Sequence, residues 1–179
     1  MKRTLALLLL TAAATPALAA PPLYFGLRAG GDLNGRVDDL GGNIDTDTPY
    51  GGYAGWRFNE TFALEFGATD LGSAKRDGIA DAGLDLDGAL YQLGLVATLP
   101  VAEQFDLIGG IGAFRLEEDG SASTIAGPLD VDNSGSGAYV ELGGRYQLNE
   151  QWSLRAGYSW YDFDAGGDGH LWGGVQLDL

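Results

Sequence analysis

The chain has 179 residues, a formal charge of −15 at pH 7, 30 glycines, 6 prolines and no cysteine. So acidic a chain lacks the basic footprint of a nucleic-acid binder, and without cysteine it forms no disulfide and no thiol-ligated metal or redox centre. Abundant glycine with little proline describes a β protein with many close backbone approaches, and beyond the N-terminus no segment reaches the roughly 18 apolar residues of a transmembrane helix.

The N-terminus sets the compartment. Lys2 and Arg3 precede an apolar run from Leu5 to Leu10 that continues after Thr11 to Ala14, and Ala17-Leu18-Ala19 supplies a small-x-small cleavage pattern. Residues 1–19 therefore read as a cleaved signal peptide, too short to span a bilayer as a helix. Residues 20–179 then form one domain, exported and free of disulfides.

Eight runs of period-two alternation follow. Leu23, Phe25, Leu27 and Ala29 oppose Tyr24, Gly26, Arg28 and Gly30. Gly52, Ala54, Trp56 and Phe58 oppose Tyr53, Gly55 and Arg57, and Phe62, Leu64, Phe66 and Ala68 oppose Glu65, Gly67 and Thr69. The fourth run sets Ala89 to Leu99 against Gly88, Gln92, Gly94 and Thr98, blurred by Leu90 and Val96. Phe105 to Ala113 oppose Asp106, Gly110 and Gly112. Val140 to Leu148 oppose Tyr139, Glu141, Gly143, Arg145 and Gln147. Trp152 to Trp160 oppose Ser153, Arg155, Gly157 and Ser159, and Leu171 to Leu179 oppose Gly174, Gln176 and Asp178.

The connections alternate in length. Short turns fall around Asn59-Glu60, Pro100 to Gln104 and Asn149-Glu150; long polar loops cover Asp32 to Thr48, Gly72 to Leu84 and Glu117 to Ser134, with a shorter one at Asp164 to Asp168. Short turns at one end and long loops at the other mark an outer-membrane barrel. A repeat strengthens this. Glu60-Thr61-Phe62-Ala63-Leu64 with Gly67, Glu103-Gln104-Phe105-Asp106-Leu107 with Gly110, and Glu150-Gln151-Trp152-Ser153-Leu154 with Gly157 share one pattern. It predicts a periplasmic aromatic girdle of Phe62, Phe105 and Trp152.

The rival is a soluble barrel with its apolar face inward. The hydrophilic face decides against it. Glycines facing bulk water in every strand weaken a sheet for no return, whereas an eight-stranded barrel is only wide enough for side chains to fill it. That face also carries Arg28, Arg57, Glu65, Glu141, Arg145 and Arg155, expected to pair as a lumen charge network. With three-residue turns Arg145 falls opposite Arg155, so a carboxylate is needed there, Glu141 or Glu65. The fold class is all-β: an eight-stranded antiparallel up-and-down transmembrane barrel.

The hairpins Arg57 to Leu71 and Tyr146 to Phe163, with the end strand Leu171 to Leu179, resemble the small outer-membrane barrel family related to the OmpA and OmpX barrels. The resemblance covers the whole of residues 20–179 and implies the outer membrane of a Gram-negative bacterium. It implies outer-membrane lipids and lipopolysaccharide as surroundings, and the barrel-assembly machinery as a partner that reads Val175, Leu177 and Leu179. Leu179 stands where the family usually ends in Phe. No periplasmic peptidoglycan-binding domain is expected.

Chemistry-bearing groups are few. His170 is the only histidine. It falls at the outer end of the last strand beside Asp168, but Leu171 and Trp172 follow, so the His-x-Ser pattern of a lipid A deacylase is absent; it reads as a loop-edge histidine in solvent, with Ser159 and Ser136 as serines that only the fold brings near. Asp162 to Gly169 has calcium-loop flavour without an EF-hand's terminal Glu, and reads as an acidic hairpin, as do Asp45-Thr46-Asp47 and Asp85-Leu86-Asp87. Weak divalent binding beside lipopolysaccharide phosphates stays open. Arg115 has outward parity near the loop end of its strand, where it faces those phosphates unless the strand has already ended. The function expected is a structural, membrane-stabilising or surface-interacting barrel, with an external ligand for the acidic loops. A narrow small-solute pore and a lipid A-modifying enzyme are the alternatives. No cofactor, catalytic residue or metal site is assigned.

Overall fold

A computed structural model describes residues 22–31, 45–46, 48–76, 84–124, 127–163 and 166–179. The expected signal peptide and the cleavage site lie outside the described residues, as do Asp32, Asp47, Asp164 and Ala165. Among the described residues nine strands are present: β1 (Leu23–Gly30), β2 (Asp45–Thr46), β3 (Tyr50–Arg57), β4 (Phe62–Arg76), β5 (Leu84–Ala102), β6 (Phe105–Thr124), β7 (Gly127–Gln147), β8 (Trp152–Phe163) and β9 (Gly166–Asp178). All pair antiparallel with their neighbours, β1 also pairs with β9, and the two-residue β2 lies outside the ring along β4. The other eight close into an up-and-down barrel.

Register fixes the barrel's shape. Following paired residues from Leu23 through Trp56, Leu64, Leu95, Ile111, Val140 and Trp160 leads to Gly169, while Leu179 N–H bonds back to Leu23 C=O at 3.0 Å. The circuit thus returns ten residues out of step. Eight strands with that stagger tilt by about 40° and enclose a backbone cylinder of about 8 Å radius. Room remains for side chains and little else.

The period-two reading gives each residue the side expected of it. Leu142 and Leu171 are each 69 % exposed on the outer wall, whereas Arg155 is 4 % and Ser159 0 % exposed. Such an inside-out distribution leaves an apolar belt that only lipid satisfies. Leu90 and Val96, which blurred the fourth run, face inward, as do Ile108, Phe114 and Leu116. From Trp152 to Trp160 the tilted strand climbs about 20 Å along the axis, close to the roughly 25 Å apolar band of such barrels.

The repeated turns have a local cause. Asn59 Oδ1 accepts from the N–H groups of Thr61 (2.9 Å) and Phe62 (2.7 Å), and Asn149 Oδ1 accepts from those of Gln151 (2.9 Å) and Trp152 (2.8 Å). Each side chain thereby holds its turn closed where the chain reverses. The third copy lacks the asparagine and reverses in a tighter turn at Glu103-Gln104, β5 extending through Pro100 to Ala102 with an irregularity on the way. Phe62, Phe105 and Trp152 enter their strands at this end, all partly exposed on the outer wall, and Phe58 stacks on Phe62 at 6.2 Å.

Tyrosines fill the space above glycines. Tyr24 is registered with Gly55 and Gly26 with Tyr53, and a Cβ on either glycine would overlap the facing ring. The two rings meet edge-on at 6.2 Å.

Three expected loops are corrected. β6 and β7 continue as a paired ladder to Thr124 and Gly127, taking in every described residue of the Glu117 to Ser134 stretch. β4 continues to Arg76 after a bulge between Asp70 and Gly72, and β9 begins at Gly166. At the bulge Gly72 has a φ of 67°, which glycine adopts without strain, and its N–H bonds to Asp70 Oδ1 at 2.8 Å. Outside the membrane there is no lipid to demand an apolar face, so these extensions carry no hydrophobic alternation for a sequence reading to find.

Candidate functional site

The lumen is filled in layers. Nearest the short turns, Arg57 Nη2 bonds to Asp178 Oδ1 at 2.6 Å, with its guanidinium over the Tyr24 ring at 4.5 Å. Across from it Arg145 Nη2 meets Asp106 Oδ2 at 2.7 Å, and Gln147 donates to the same oxygen at 3.2 Å. A recess of about 10 Å³, space for one water molecule, is lined there by Tyr24, Arg57, Ala63, Ile108 and Arg145.

Arg155 occupies the middle. Its Nη1 donates to Glu65 Oε2 at 2.8 Å and to Gln176 Oε1 at 3.3 Å, while Nη2 lies 3.5 Å from Glu141 Oε1. Tyr24 OH donates to the same Glu65 oxygen at 2.8 Å. The guanidinium plane lies over the Tyr53 ring at 4.6 Å and near Trp172 at 5.6 Å. A charge is tolerable at such depth because two carboxylates stand against it, although Arg155 Nε makes no hydrogen bond.

Above this layer Arg28 Nη2 donates to Gln92 Oε1 and to Thr69 Oγ1 (3.2 Å), and Gln92 Nε2 donates to Tyr161 OH at 2.8 Å. The layer nearest the long-strand end is apolar. Leu71, Leu90, Phe114, Leu116, Tyr139 and Tyr161 form one buried cluster, with Phe114 edge-on to Tyr161 at 5.2 Å.

The six lumen charges anticipated from sequence all point inward, but they do not form one network. Glu65, Glu141 and Arg155 come together. Arg57 and Arg145 pair instead with Asp178 and Asp106, and Arg28 is held by neutral groups. Arg145 and Arg155 do stand opposite one another in the β7–β8 ladder, each taken by a different carboxylate. Asp106 and Asp178 were visible as inward-facing by parity, but the partners across the lumen depend on the stagger.

His170 is corrected from a solvent position to a buried one. It is 7 % exposed and stacks on Tyr161, the rings 5.6 Å apart at 4°. Its place two residues before Trp172 and four before Gly174 gives it lumen parity, which was the available signal. Ser159 is its register partner, but Ser159 Oγ accepts from Trp172 Nε1 at 2.9 Å and is 0 % exposed. Ser136 has outward parity. Among the described residues no group of three or more histidines and carboxylates is arranged to hold a metal ion. Arg115 lies on the exposed outer face in a strand that continues well past it, paired with Glu117 at 2.7 Å. That face also carries a shallow groove of about 630 Å³ lined by Tyr50, Asp70, Asp87, Tyr91, Glu117 and Asp119.

The sequence matches the outer membrane protein beta-barrel domain over residues 5–175. The chain belongs to that family. Among solved structures, the N-terminal β-barrel domain of Pseudomonas aeruginosa OprF is similar at a TM-score of 0.62 and 12 % identity, covering 89 % of this chain and 99 % of that one. Neisserial surface protein A is similar at a TM-score of 0.56 and 15 % identity, with 89 % and 99 % covered. Ail, the attachment invasion locus protein of Yersinia pestis, is similar at 0.54 and 13 % identity, with 90 % and 97 % covered. At these identities the likeness is one of fold. Among curated proteins, no sequence matches the chain. As a member of the outer membrane protein β-barrel family, the protein crosses the outer membrane through its strands.

Proposed function

We propose that this protein is a closed, non-conducting barrel that reinforces the outer membrane and presents a strand-built acidic surface on its far side. The observation that carries the reading is the lumen, stopped twice. Arg155 with Glu65 and Glu141 blocks it at mid-height, and the Leu90–Phe114–Tyr161 cluster blocks it again above. An ion would have to displace buried guanidinium pairs and then cross an apolar layer, so the pore alternative finds little support. An enzymatic role finds as little, since Ser159 and His170 sit inside the same packing, away from lipid A.

In this reading the N-terminal segment is a cleaved signal peptide, and Val175 and Leu177, on the outer wall of β9, with Leu179 just past its end, are presented to the barrel-assembly machinery. The exposed apolar belt contacts lipid, and Arg115 meets lipopolysaccharide at the interface. Two experiments test it. Membrane-extracted protein should migrate faster unheated than boiled on a detergent gel, and recovery in the soluble periplasm would overturn the proposal. Purified barrels in a planar bilayer should give no stable conductance steps; sustained channels would return the pore reading to first place.

A further inference from the structure

The single histidine of the chain is built into the wall of the outer lumen layer. Tyr161, fully buried, is the centre of that layer. Phe114 stands edge-on to it, Tyr139 lies 5.9 Å away at 30°, and Gln92 Nε2 donates to its OH. The His170 ring stacks parallel on it. β1 closes on the imidazole as well, since a Cβ added to Gly30 would lie 2.9 Å from His170 Cδ2.

This is a poor place for a further positive charge. His170 Nδ1 is buried and makes no hydrogen bond, whereas an imidazolium carries a donor on both ring nitrogens. The described groups around it supply no carboxylate. From β8 come Tyr161 and Ser159, whose hydroxyl already accepts from Trp172. From β1 comes Arg28, a cation whose charge reaches the imidazole. Thr69 of β4 and Gln92 of β5 are neutral and hold that arginine. On β9 itself, the side chain of Asp168 lies outside the described residues. Glu65 and Glu141 are engaged with Arg155 in the layer below. A neutral imidazole fits the packing; an imidazolium would be a buried charge with no partner.

We propose that His170 is an acid-sensitive latch on the outer lumen layer. Taking up a proton drives its ring off Tyr161 and loosens the Leu90–Phe114–Tyr161 seal, while the Arg155 layer beneath holds. The inference rests on the reading above that this end faces the exterior, which makes the outside medium the source of the proton. Below the ordinary imidazole range, about pH 6.5, the loosened layer binds one proton more than the packed one. Each further unit of acid then favours loosening by up to about tenfold.

The test uses the full barrel in nanodiscs, with both faces in the same buffer so that orientation does not enter. NMR follows the His170 ring nitrogens, the Tyr161 amide and the Trp172 indole N–H from about pH 7.5 to about pH 5, across the range where imidazole titrates. In the wild type the imidazole should take up its proton together with displacement or broadening of the Tyr161 and Trp172 signals. His170→Phe keeps an aromatic stack and removes the proton site, so those signals should stay in place. Over the same range the urea-unfolding equilibrium constant should rise about tenfold more in the wild type than in His170→Phe, the carboxylates that respond to acid being common to both chains.

The proposal fails if His170 titrates while Tyr161 and Trp172 stay unmoved, or if the wild type shows no change down to about pH 5. It fails equally if His170→Phe has the same pH response. The wild-type titration decides the matter even where the variant does not fold. Heat-modifiable migration at neutral pH reports on the barrel separately, so a failure of the latch is distinct from a failure of the barrel reading.

Discussion

Arg155 and Glu65 join walls that stand diametrically opposite, since β8 and β4 lie four strands apart in either direction around the ring. Their 2.8 Å bond is therefore a strut across the full width of the barrel, strengthened by Tyr24 on the same carboxylate oxygen. Removing one member of a buried ion pair leaves an uncompensated charge, typically costing about 3–5 kcal/mol. Arg155→Met, which strands both Glu65 and Glu141, should fall in that range in urea unfolding of the lipid-refolded barrel. Adding Glu65→Gln and Glu141→Gln to it should recover more than half of the loss. A single variant as stable as wild type would show that the strut bears no energy.

The two lumen blocks should act independently. Leu90→Ala with Phe114→Ala empties part of the upper cluster, each truncation costing about 2–5 kcal/mol, yet the Arg155 layer below is untouched. The double variant should be less stable and still non-conducting in a planar bilayer. Channels appearing on this change alone would place the only seal in the apolar layer.

The lipid-facing wall should report depth. Ile111 lies mid-belt at 61 % exposure, while Phe105 lies near the turns. Arginine at the bilayer midplane costs about 2–4 kcal/mol and near an interface about 0–1. Ile111→Arg should destabilise the barrel by the larger amount and Phe105→Arg by clearly less beyond its lost packing, as read from denaturant midpoints in vesicles. Equal costs would misplace the membrane boundary.

The glycines under the tyrosines should resist substitution. Gly55→Val puts side-chain atoms where the Tyr24 ring lies, and Tyr24 cannot yield without releasing Glu65. Overpacking of this kind costs about 1–3 kcal/mol. Gly109→Val, on the open outer wall where an added Cβ meets nothing, should be neutral. Refolding yield measured by gel shift separates the two.

Much of the architecture was legible because lipid enforces alternation: inward residues such as Arg28, Glu65, Glu141, Arg155 and Asp178 follow from period two. Inside the lumen that rule names a side but no partner. Arg57 meets Asp178 because the stagger brings β9 beside β1 at that height, a property of the closed ring and not of any local stretch. The upper parts of β6 and β7 were hidden for the converse reason. Residues such as Glu118, Asp119 and Ser121 sit in water on both faces, so their strands leave no apolar trace. His170 was misplaced because its neighbours Asp168 and Gly169 look like a loop, although the parity of Trp172 already turned it inward.

The uneven ladders around the ring have a mechanical consequence. β1 is fastened on each side by only seven residue pairs, from Leu23 to Ala29 against β3 and from Tyr24 to Gly30 against β9, whereas β6 and β7 are zipped over twenty. Breathing of the wall is therefore concentrated at one strand. Amide exchange should be fastest along Phe25 and Leu27 and slowest where β6 meets β7 within the membrane, giving the cylinder a soft side and a stiff one.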